Sequence, residues 1–394
     1  MEKNPIVIVS ATRTPLGSFQ GTLQNMAAPQ LGGVALKAAA EKAGLAPEAI
    51  QEVFMGCVLS AGLGQAPARQ AVIDAGFPYG VGATTVNKVC GSGMKAIMLA
   101  HDLALLNPES ALLAGGMENM SKAPYLSLTG RGGFRLGHTE LKDHMLIDGL
   151  EDAYEKGASM GFLAETCADH YKFTREAQDE FAINSIKKAH KAESQNAFAA
   201  EITPITTQTR QGNVVITKDE GPVNAKLDKI PLLRPAFRKE GTVTAANSSS
   251  ISDGAAAVVL MSLAEARKRG LSPLAKIVAH HTHSQDPAWF TRAPVGAIQG
   301  LLDKLEWKAS DVDLYEINEA FAVVTMAAIH DLQLDPAKVN IHGGACILGH
   351  PIGASGARIV VTLIHALQRY KLKRGIATLC IGGGEATALA VELL

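Results

Sequence analysis

Cysteine and net charge are both scarce in this 394-residue sequence. Its five cysteines, an odd number without close pairs, do not make a disulfide framework, so we expect a reducing compartment and a cytoplasmic protein. The formal net charge of −1 excludes a basic chain that coats nucleic acid. We find no secretion signal and no apolar run of about 18 residues, so we also expect no membrane association.

Several common catalytic motifs are also missing. The sequence has no Walker phosphate loop, no Gly-x-Gly-x-x-Gly that opens a helix and no Gly-x-Ser-x-Gly elbow. Two other features are present: hydrophobic residues make up 47% of the chain, enough for a large core, and 38 glycines occur in clusters. Because a substrate can approach the backbone closely at glycine, these clusters are where we expect the chemistry.

The two ends of the chain resemble each other. Residues 92–95 pair with 355–358, and residues 112–116 pair with 379–383. A spacing of roughly 250 to 270 residues indicates a duplicated domain and not a short repeat. Strands and helices alternate in each copy, which predicts mainly parallel sheets covered by helices. We predict strands over 6–9, 53–58, 275–279 and 314–317, and helices over 31–43, 174–194 and 297–305.

The middle of the chain differs from both ends in its charge. Residues 121–245 contain 17 Lys or Arg and 17 Asp or Glu, against 37 and 38 in the whole chain. Nearly half of the charged residues therefore fall in less than a third of the length. This contrast predicts a more solvated lobe that is inserted between the two halves.

Cys90 lies where an extended run meets two glycines and the start of an apolar helix. A strand-to-helix turn of this kind brings unpaired backbone N–H groups and the helix dipole to the sulfur, which predicts a lowered pKa for the thiol. The glycines let a substrate carbonyl approach the backbone, as an oxyanion hole requires. Taken alone, a small buried cysteine beside a packing turn is the more common explanation.

His350 and Cys380 supply what a thiol nucleophile needs. His350 lies between Gly349 and Pro351, and its imidazole has a suitable pKa for a base, although a plain loop histidine explains it equally well. Cys380 ends a buried strand before three glycines, where a second thiol can meet the first across a pseudo-two-fold axis. The Gly382 N–H can then donate to an oxyanion.

Asn318 and Glu319 follow a predicted strand. The amide can hold a water and the carboxylate can orient it, but a helix N-cap is an equally good explanation. We expect the remaining cysteines to be small core residues, namely Cys57, Cys167 and Cys346.

Three histidines stand close together in His280-His281-x-His283. They can ligate a metal if His281 and His283 share one strand face. No further ligand lies at a familiar spacing, so we expect no metal site here.

Together these motifs resemble those of the thiolase family, and in particular its short-chain branch. The resemblance covers essentially the whole chain and rests on residues 11–15, 87–93, 115–121, 234–237, 241–245, 252–256, 318–321, 349–353 and 380–384. It implies an α/β thiolase fold in which two homologous βαβαβαββ halves form a five-layer αβαβα arrangement. The implied division is 1–120 with 246–270 for the N-terminal half, 121–245 for a loop domain that binds coenzyme A and supports oligomerisation, and 271–394 for the C-terminal half.

The resemblance also assigns catalytic roles. Cys90 matches the cysteine that becomes acylated, His350 the histidine that activates it, and Cys380 the acid and base at the substrate carbon. Asn318 matches the residue that holds a water in one oxyanion hole with His350, while the backbone of Cys90 and Gly382 matches the other hole. The implied reaction joins two acetyl-CoA reversibly into acetoacetyl-CoA and CoA through acetyl-Cys90. It needs neither cofactor nor metal, because the coenzyme A thioester is the substrate.

Motif matching further predicts the coenzyme A site. The residues expected to line it are Leu150, Met160, Phe237, Ala245, Ser249, Ala320 and Phe321. Met160 matches a methionine that closes the acyl pocket in short-chain members, which favours acetyl-sized substrates. Residues 125–144 resemble the oligomerisation loop of the family, so we expect a homotetramer built as a dimer of dimers.

Three alternatives stay open to different degrees. A degradative 3-ketoacyl-CoA thiolase uses the same residues on longer chains, and the region of Met160 distinguishes it. A ketoacyl synthase places histidine where this chain has Cys380, and a non-catalytic acyl-CoA carrier is expected to lose Cys90 or His350. One departure from the family pattern is Glu385, which places a carboxylate near the site.

Overall fold

The computed structural model of the chain describes residues 4–209 and 212–394. Its first half alternates strands and helices, and the predicted strands over 6–9 and 53–58 and helix over 31–43 are confirmed with shifted boundaries. In chain order the elements are β1 (Ile6–Arg13), β2 (Gly17–Ser18), α1 (Ala28–Lys42), β3 (Ile50–Gly56), α2 (Pro67–Asp74), β4 (Gly82–Val86), α3 (Ser92–Leu106) and β5 (Ala111–Asn119).

The segment predicted to form a loop domain, residues 121–245, comes next, and it is called the loop domain below. Its elements are β6 (Tyr125–Leu126), β7 (Lys142–Asp143), α4 (Met160–Tyr171), α5 (Arg175–Ser194), β8 (Ile205–Thr209), β9 (Gly212–Ile216) and α6 (Glu220–Asn224). Thr174 caps α5 as predicted, because its hydroxyl accepts a hydrogen bond of 3.2 Å from the Ala177 N–H. The buried Arg13 of β1 holds this domain against the first half through the carboxylates of Glu201 and Asp219.

The remaining chain completes the first half and builds the second. Its elements are β10 (Ser252–Ser262), α7 (Leu263–Lys268), β11 (Ala275–Ser284), α8 (Ala293–Leu305), β12 (Leu314–Ile317), α9 (Ala322–Leu332), α10 (Ala345–Leu348), α11 (Ser355–Tyr370), β13 (Arg374–Ile381) and β14 (Glu385–Leu393). The second half repeats the main order of the first, but among the described residues it has no strand that corresponds to β2 and it contains the additional short helix α10. Where the first copy has β4, the second has only an isolated bridge between Val339 and Tyr315.

Several short turns of helix connect these elements. A π-helical turn covers Leu146–Leu150, beside the cavity described below. Turns of 3₁₀ helix cover Pro47–Ala49, Met120–Lys122, Gly130–Gly132, Leu227–Leu232, Pro287–Arg292, Ala309–Asp311 and Pro336–Lys338.

Ten strands of the described residues form one continuous mixed sheet in the order β12-β13-β14-β11-β1-β10-β5-β3-β4, with β2 beside β10, while β6 pairs with β7 and β8 pairs with β9 in two separate sheets. Within the described residues, β3 runs parallel to β4 and β5, and β12 runs parallel to β13. The other pairs of this sheet are antiparallel, so the prediction of mainly parallel sheets is wrong. The reason is connectivity: a short turn at residues 382–384 joins β13 to β14 and permits only an antiparallel pair, and β10 enters from the loop domain without a crossover helix.

Three hydrophobic clusters divide the molecule into five layers. One lies between α1, α2 and the outer face of the first-half strands, and another lies between α8, α9 and the outer face of the second-half strands. The third is central and contains α3 and α11, with sheet residues on both sides. The predicted αβαβα arrangement is therefore confirmed.

The two central helices approach each other at their first turns. A Cβ added to Gly93 of α3 would lie 2.9 Å from the Ala357 nitrogen of α11, and one added to Gly356 would lie 2.5 Å from the Met94 nitrogen. Only glycine permits this spacing of two backbones. Because Gly93 and Gly356 occupy equivalent positions in the duplicated sequence, the pseudo-two-fold axis passes between these helix ends.

The stretch Val89–Leu106 is long and apolar enough to cross a membrane. The sequence analysis expected no apolar run of this length, so that expectation is wrong. In the structure 61% of this stretch is buried, and it includes the central helix α3. Its hydropathy is explained by the packing of its buried face against the strands and the helix of the central layer.

Candidate active site

Cys90 lies in the turn between β4 and α3, and the turn is held by its own hydrogen bonds. The hydroxyl of Ser92 accepts from the Lys88 N–H at 2.8 Å and donates to the Val89 carbonyl at 2.6 Å. Val89 adopts a left-handed backbone with φ of 46°, which a valine tolerates only where surrounding contacts fix it. The sequence thus places the Cys90 sulfur at the start of a buried helix, as predicted.

The pKa of the Cys90 thiol differs from the sequence expectation. Burial raises this pKa to about 11, although the backbone N–H groups of Gly382 and of Cys90 itself both act on the sulfur and lower it. We expected the donors and the helix dipole to lower the pKa below its usual value, and that expectation is wrong. The reason is that removing the sulfur from water destabilises the thiolate by more than the two backbone hydrogen bonds stabilise it.

Cys380 is the second thiol at this place. It lies near the end of β13, is fully buried and pairs across the hairpin with Ala386 of β14. Burial raises its pKa well above the usual value, and the proximity of Cys90 raises it further. The two halves of the chain therefore bring their thiols together, and both thiols are protonated at neutral pH.

His350 is fixed by a neighbouring hydroxyl. Its Nδ1 lies 2.6 Å from the Ser355 oxygen, and that hydroxyl donates to the Pro351 carbonyl at 2.9 Å. Because the single hydroxyl proton is directed to the carbonyl, Nδ1 must carry the ring proton, and Nε2 is left as a base. Nε2 is buried and has no hydrogen-bond partner among the described residues.

Burial also keeps His350 neutral. Burial is the main cause and the charge of the nearby Arg358 is the second, and together they lower the pKa of the imidazole to about 3. Asn318 lies beside the same ring, with its amide nitrogen 3.4 Å from Nδ1. The structure therefore brings Asn318 and His350 together.

Glu319 does not act as we expected. Its carboxylate accepts hydrogen bonds from the Ser185 hydroxyl at 2.8 Å, the Asn340 amide at 2.9 Å and the Cys346 N–H at 3.2 Å. These bonds attach α5 of the loop domain to the second half. Glu319 is thus a buried structural residue and is not free to orient a water. The three remaining cysteines, Cys57, Cys167 and Cys346, are buried as predicted.

A cavity of about 570 Å³ opens beside these groups, between the loop domain and the two halves. Its lining is mostly apolar and includes His350. All seven residues predicted to bind coenzyme A line it: Leu150, Met160, Phe237, Ala245, Ser249, Ala320 and Phe321. One lining residue, Met160, lies next to the glycine turn, because a Cβ added to Gly382 would lie 3.3 Å from the Met160 sulfur.

Two other cavities help to define this one. A cavity of about 420 Å³ shares Ser18, Ala245 and Ser250 with it and is lined by Lys226 and Lys229, which adds positive charge at one end. A larger cavity of about 770 Å³ lies between α5 and α9 and contains none of the predicted site residues. Volume alone therefore does not locate the chemistry in this chain.

An ion pair connects the two segments around the thiols. Lys88, two residues before Cys90, pairs with the carboxylate of Glu385, three residues after Gly382. Glu385 also accepts a hydrogen bond of 2.9 Å from the Ser284 hydroxyl. The carboxylate that departs from the family pattern thus holds the Cys90 turn against the glycine turn.

Two supporting residues were missed by the sequence analysis. The sequence analysis paired Ser355 with Ser92 as part of the duplication, and this pairing could have identified Ser355 as a supporting residue. In the structure each of the two hydroxyls fixes the loop before its own helix. The buried Glu118 accepts hydrogen bonds from the N–H groups of Val58, Leu59 and Gly353, and it carried no signal that distinguished it from a core position.

Comparison with known proteins agrees with this architecture. The family model described as "Thiolase, N-terminal domain" matches residues 6–264, and "Thiolase, C-terminal domain" matches residues 271–393. The chain is 50% identical to an acetyl-CoA acetyltransferase of Cupriavidus necator, over 98% of this chain and 99% of that protein. It is 46% identical to an acetyl-CoA acetyltransferase of Schizosaccharomyces pombe over the full length of both.

Among solved structures, the chain resembles a thiolase from Ascaris suum in complex with coenzyme A. The TM-score is 0.93 at 42% identity, and the match covers 99% of this chain and 100% of that one. The duplicated fold and the paired thiols define an acyltransferase. The chain belongs to the thiolase family.

Proposed function

We propose that the protein is an acetyl-CoA C-acetyltransferase, which joins two acetyl-CoA reversibly into acetoacetyl-CoA and CoA through acetyl-Cys90. The observation that carries this proposal is the convergence of the Gly382 and Cys90 N–H groups on the Cys90 sulfur, beside a second thiol. A Claisen condensation needs a thioester exchange and then deprotonation of a carbon acid. Cys90 serves the first step in this proposal, and Cys380 serves the second.

In the first step, Nε2 of His350 takes the Cys90 proton while the sulfur attacks the thioester carbonyl. The raised pKa of the thiol and the lowered pKa of the imidazole disfavour a resting ion pair, so the proton transfers as the carbon–sulfur bond forms. The N–H groups of Cys90 and Gly382 stabilise the tetrahedral oxyanion. The CoA thiolate then leaves with the proton of Cys380, so Cys380 becomes a thiolate while His350 keeps the Cys90 proton on Nε2.

In the second step, Cys380 removes a proton from the methyl carbon of a second acetyl-CoA. Negative charge develops on that thioester oxygen, and Asn318 with His350 provides the groups that stabilise it. The carbanion attacks acetyl-Cys90, a carbon–carbon bond forms and the Cys90 thiolate leaves. The methyl proton stays on Cys380 and the Cys90 thiolate recovers its own proton from Nε2 of His350, so both thiols are restored, and no cofactor or metal takes part in these steps.

Coenzyme A binding is supported by the cavity. Its apolar lining suits a pantetheine arm, and Lys226 and Lys229 at one end suit phosphate groups. The relatives named acetyl-CoA acetyltransferase and the structural relative in complex with coenzyme A support the same ligand class.

The size of the acyl group follows from Met160. Its sulfur lies close to Gly382, so the side chain occupies the space next to the oxyanion donors, where a longer acyl chain would extend. The alternative, a degradative thiolase for longer chains, predicts equal or faster cleavage of long substrates. Coenzyme A-dependent cleavage of acetoacetyl-CoA, compared with longer 3-ketoacyl-CoA, distinguishes the two, and we expect a marked preference for acetoacetyl-CoA.

We further propose a homotetramer that forms through the β6–β7 arm, residues 125–143. Five large apolar side chains are more than half exposed on this arm: Tyr125, Leu128, Phe134, Leu136 and Leu141. Apolar side chains concentrated on one projecting segment are typical of an interface. Light scattering should give a tetramer for the wild type and a smaller species for Leu136→Asp, whereas a tetrameric Leu136→Asp would contradict this role of the arm.

A further inference from the structure

The three clustered histidines of β11 point in two directions. A bulge shifts the pairing of β11 with β14 between Ile277 and Ala279. Beyond it, His281 and His283 face α8, where they lie over Gly300 and Gly296. His281 and His283 do share one strand face, as the metal hypothesis required, but that face meets glycines and no ligand. Their imidazoles instead fill the space that two glycines leave in a helix.

His280 faces the opposite side of the sheet and meets α3. Its Nε2 lies 2.8 Å from Oδ1 of Asp102, and the same oxygen lies 3.0 Å from Nδ1 of His101. The two imidazole rings are perpendicular, with centroids 5.1 Å apart. The three donor atoms lie within 4.8 Å of one another. Two imidazoles and one carboxylate, from residues 178 positions apart, thus converge on one point.

We propose that His101, Asp102 and His280 form a binding site for a transition-metal dication of the zinc type, separate from the thiol site. Two imidazole nitrogens and one carboxylate oxygen are ligands that such ions accept, with water in the fourth position. Hard cations such as Mg²⁺ and Ca²⁺ prefer oxygen ligands and should bind weakly here.

The present geometry is close to that of a tetrahedral site. Around a zinc ion with bonds of 2.0–2.1 Å, donor atoms lie roughly 3.3 Å apart and two imidazole centroids roughly 5 Å apart. The observed centroid separation matches this value, and the two donor distances to Asp102 must lengthen by a few tenths of an ångström. The third distance, between the two imidazole nitrogens, is at most 4.8 Å and must come to roughly 3.3 Å when the ion binds. Asp102 can lengthen its two distances because its side chain is 52% exposed, whereas His101 is held in the protein.

The charged side chains that face His280 are the carboxylate of Asp102 and the ammonium of Lys304. The ammonium of Lys304 repels a metal ion, and the Asp102 carboxylate offsets that charge. An ion bound here would join β11 of the second half to α3, the helix that begins immediately after the Cys90 turn.

The direct test is a titration with Co²⁺, followed by competition with Zn²⁺. The titrated protein carries Cys90→Ala, because a partly exposed thiol would otherwise bind the same ions. We expect one equivalent of Co²⁺ with visible d–d absorption and without a thiolate charge-transfer band. Zn²⁺ should displace it, and the apparent melting temperature should rise with metal concentration.

Ligand variants and a matched control make the test specific. Asp102→Asn and His280→Gln should each weaken Co²⁺ binding at least tenfold, whereas His281→Ala, on the same strand but facing α8, should bind as the parent does. With Cys90 intact, Asp102→Asn should keep basal thiolase activity, which shows that an exposed substitution leaves the fold intact. No binding by the parent, unchanged binding by Asp102→Asn and His280→Gln, or equal loss in His281→Ala would each overturn the proposal.

Discussion

The hydroxyl oxygen of Ser355 lies 2.6 Å from Nδ1 of His350 and leaves Nε2 as the ring nitrogen that is available to act as the proposed base. Ser355 is the first residue of α11 and stands where Ser92 stands in the first half. Ser92 holds the nucleophile turn, and Ser355 holds the base. The duplication therefore gave both halves a serine that fixes the loop before a central helix. In the first half this loop carries the proposed nucleophile Cys90, and in the second half it carries the proposed base His350.

Removing this hydroxyl should slow both steps of the reaction. Because one neutral hydrogen bond contributes about 0.5–1.5 kcal/mol, Ser355→Ala should lower kcat by about tenfold with little change in KM. Steady-state kinetics of acetoacetyl-CoA cleavage measures this. Thr362→Val on the same helix is the control, since its hydroxyl bonds to Glu201 at 3.2 Å and should affect stability without changing kcat. Equal kcat for Ser355→Ala and wild type would remove Ser355 from the mechanism.

The raised pKa of Cys90 predicts how its reactivity depends on pH. At a pKa of about 11 the thiolate fraction grows about tenfold for each pH unit across the neutral range, because the fraction is proportional to 10 to the power of pH minus pKa. The rate of inactivation by iodoacetamide should therefore rise from pH 7 to pH 10 without reaching a plateau. A plateau near pH 8 would show a lowered pKa instead. Cys90→Ser measures the background rate.

The ion pair between Lys88 and Glu385 should contribute modestly to catalysis. Both side chains are partly exposed, at 21% and 30%, so their interaction contributes about 0–1 kcal/mol. Glu385→Gln and Lys88→Met should each lower kcat by up to about fivefold, because the Cys90 turn is then less firmly held against the glycine turn. The double variant should be no worse than either single variant. Additive losses in this cycle would show that the two side chains act independently.

The buried Arg13 should matter far more for stability than an exposed arginine. Its guanidinium bonds to Glu201 and to both oxygens of Asp219, and all three side chains are buried. Arg13→Met leaves two buried carboxylates without a partner, which should cost about 3–5 kcal/mol in the free energy of unfolding. The half-exposed pair of Arg238 with Asp169 is the control, and Asp169→Asn should cost less than about 1 kcal/mol. Similar losses in urea denaturation would contradict this difference.

Local patterns in the sequence predicted much of the fold. Thr174 caps α5, the strand at Leu314–Ile317 has the predicted bounds, and Cys380 lies near the end of its buried strand, because each depends on neighbours within a few residues. Strand direction was mispredicted, since β10 and β14 are placed by connections that alternation of strands and helices does not reveal.

Properties that depend on contacts between residues far apart in the chain could not be predicted from the sequence. The pKa of Cys90 is set by burial among elements from both halves, and sequence neighbours gave the opposite sign. The histidines of β11 were judged by local spacing, but the bulge in β11 and the position of Asp102 on α3 decide which of them meets a carboxylate. In both cases the decisive contact joins residues far apart in the chain.

The most direct test of the proposed mechanism is the mass of the intact protein after brief exposure to acetyl-CoA. We expect one added acetyl group, located on Cys90 by peptide mapping, lost on addition of CoA and absent from Cys90→Ser. Cys380→Ser should still acquire it but should not form acetoacetyl-CoA. An unmodified Cys90, or an acetyl group that CoA does not remove, would contradict the account.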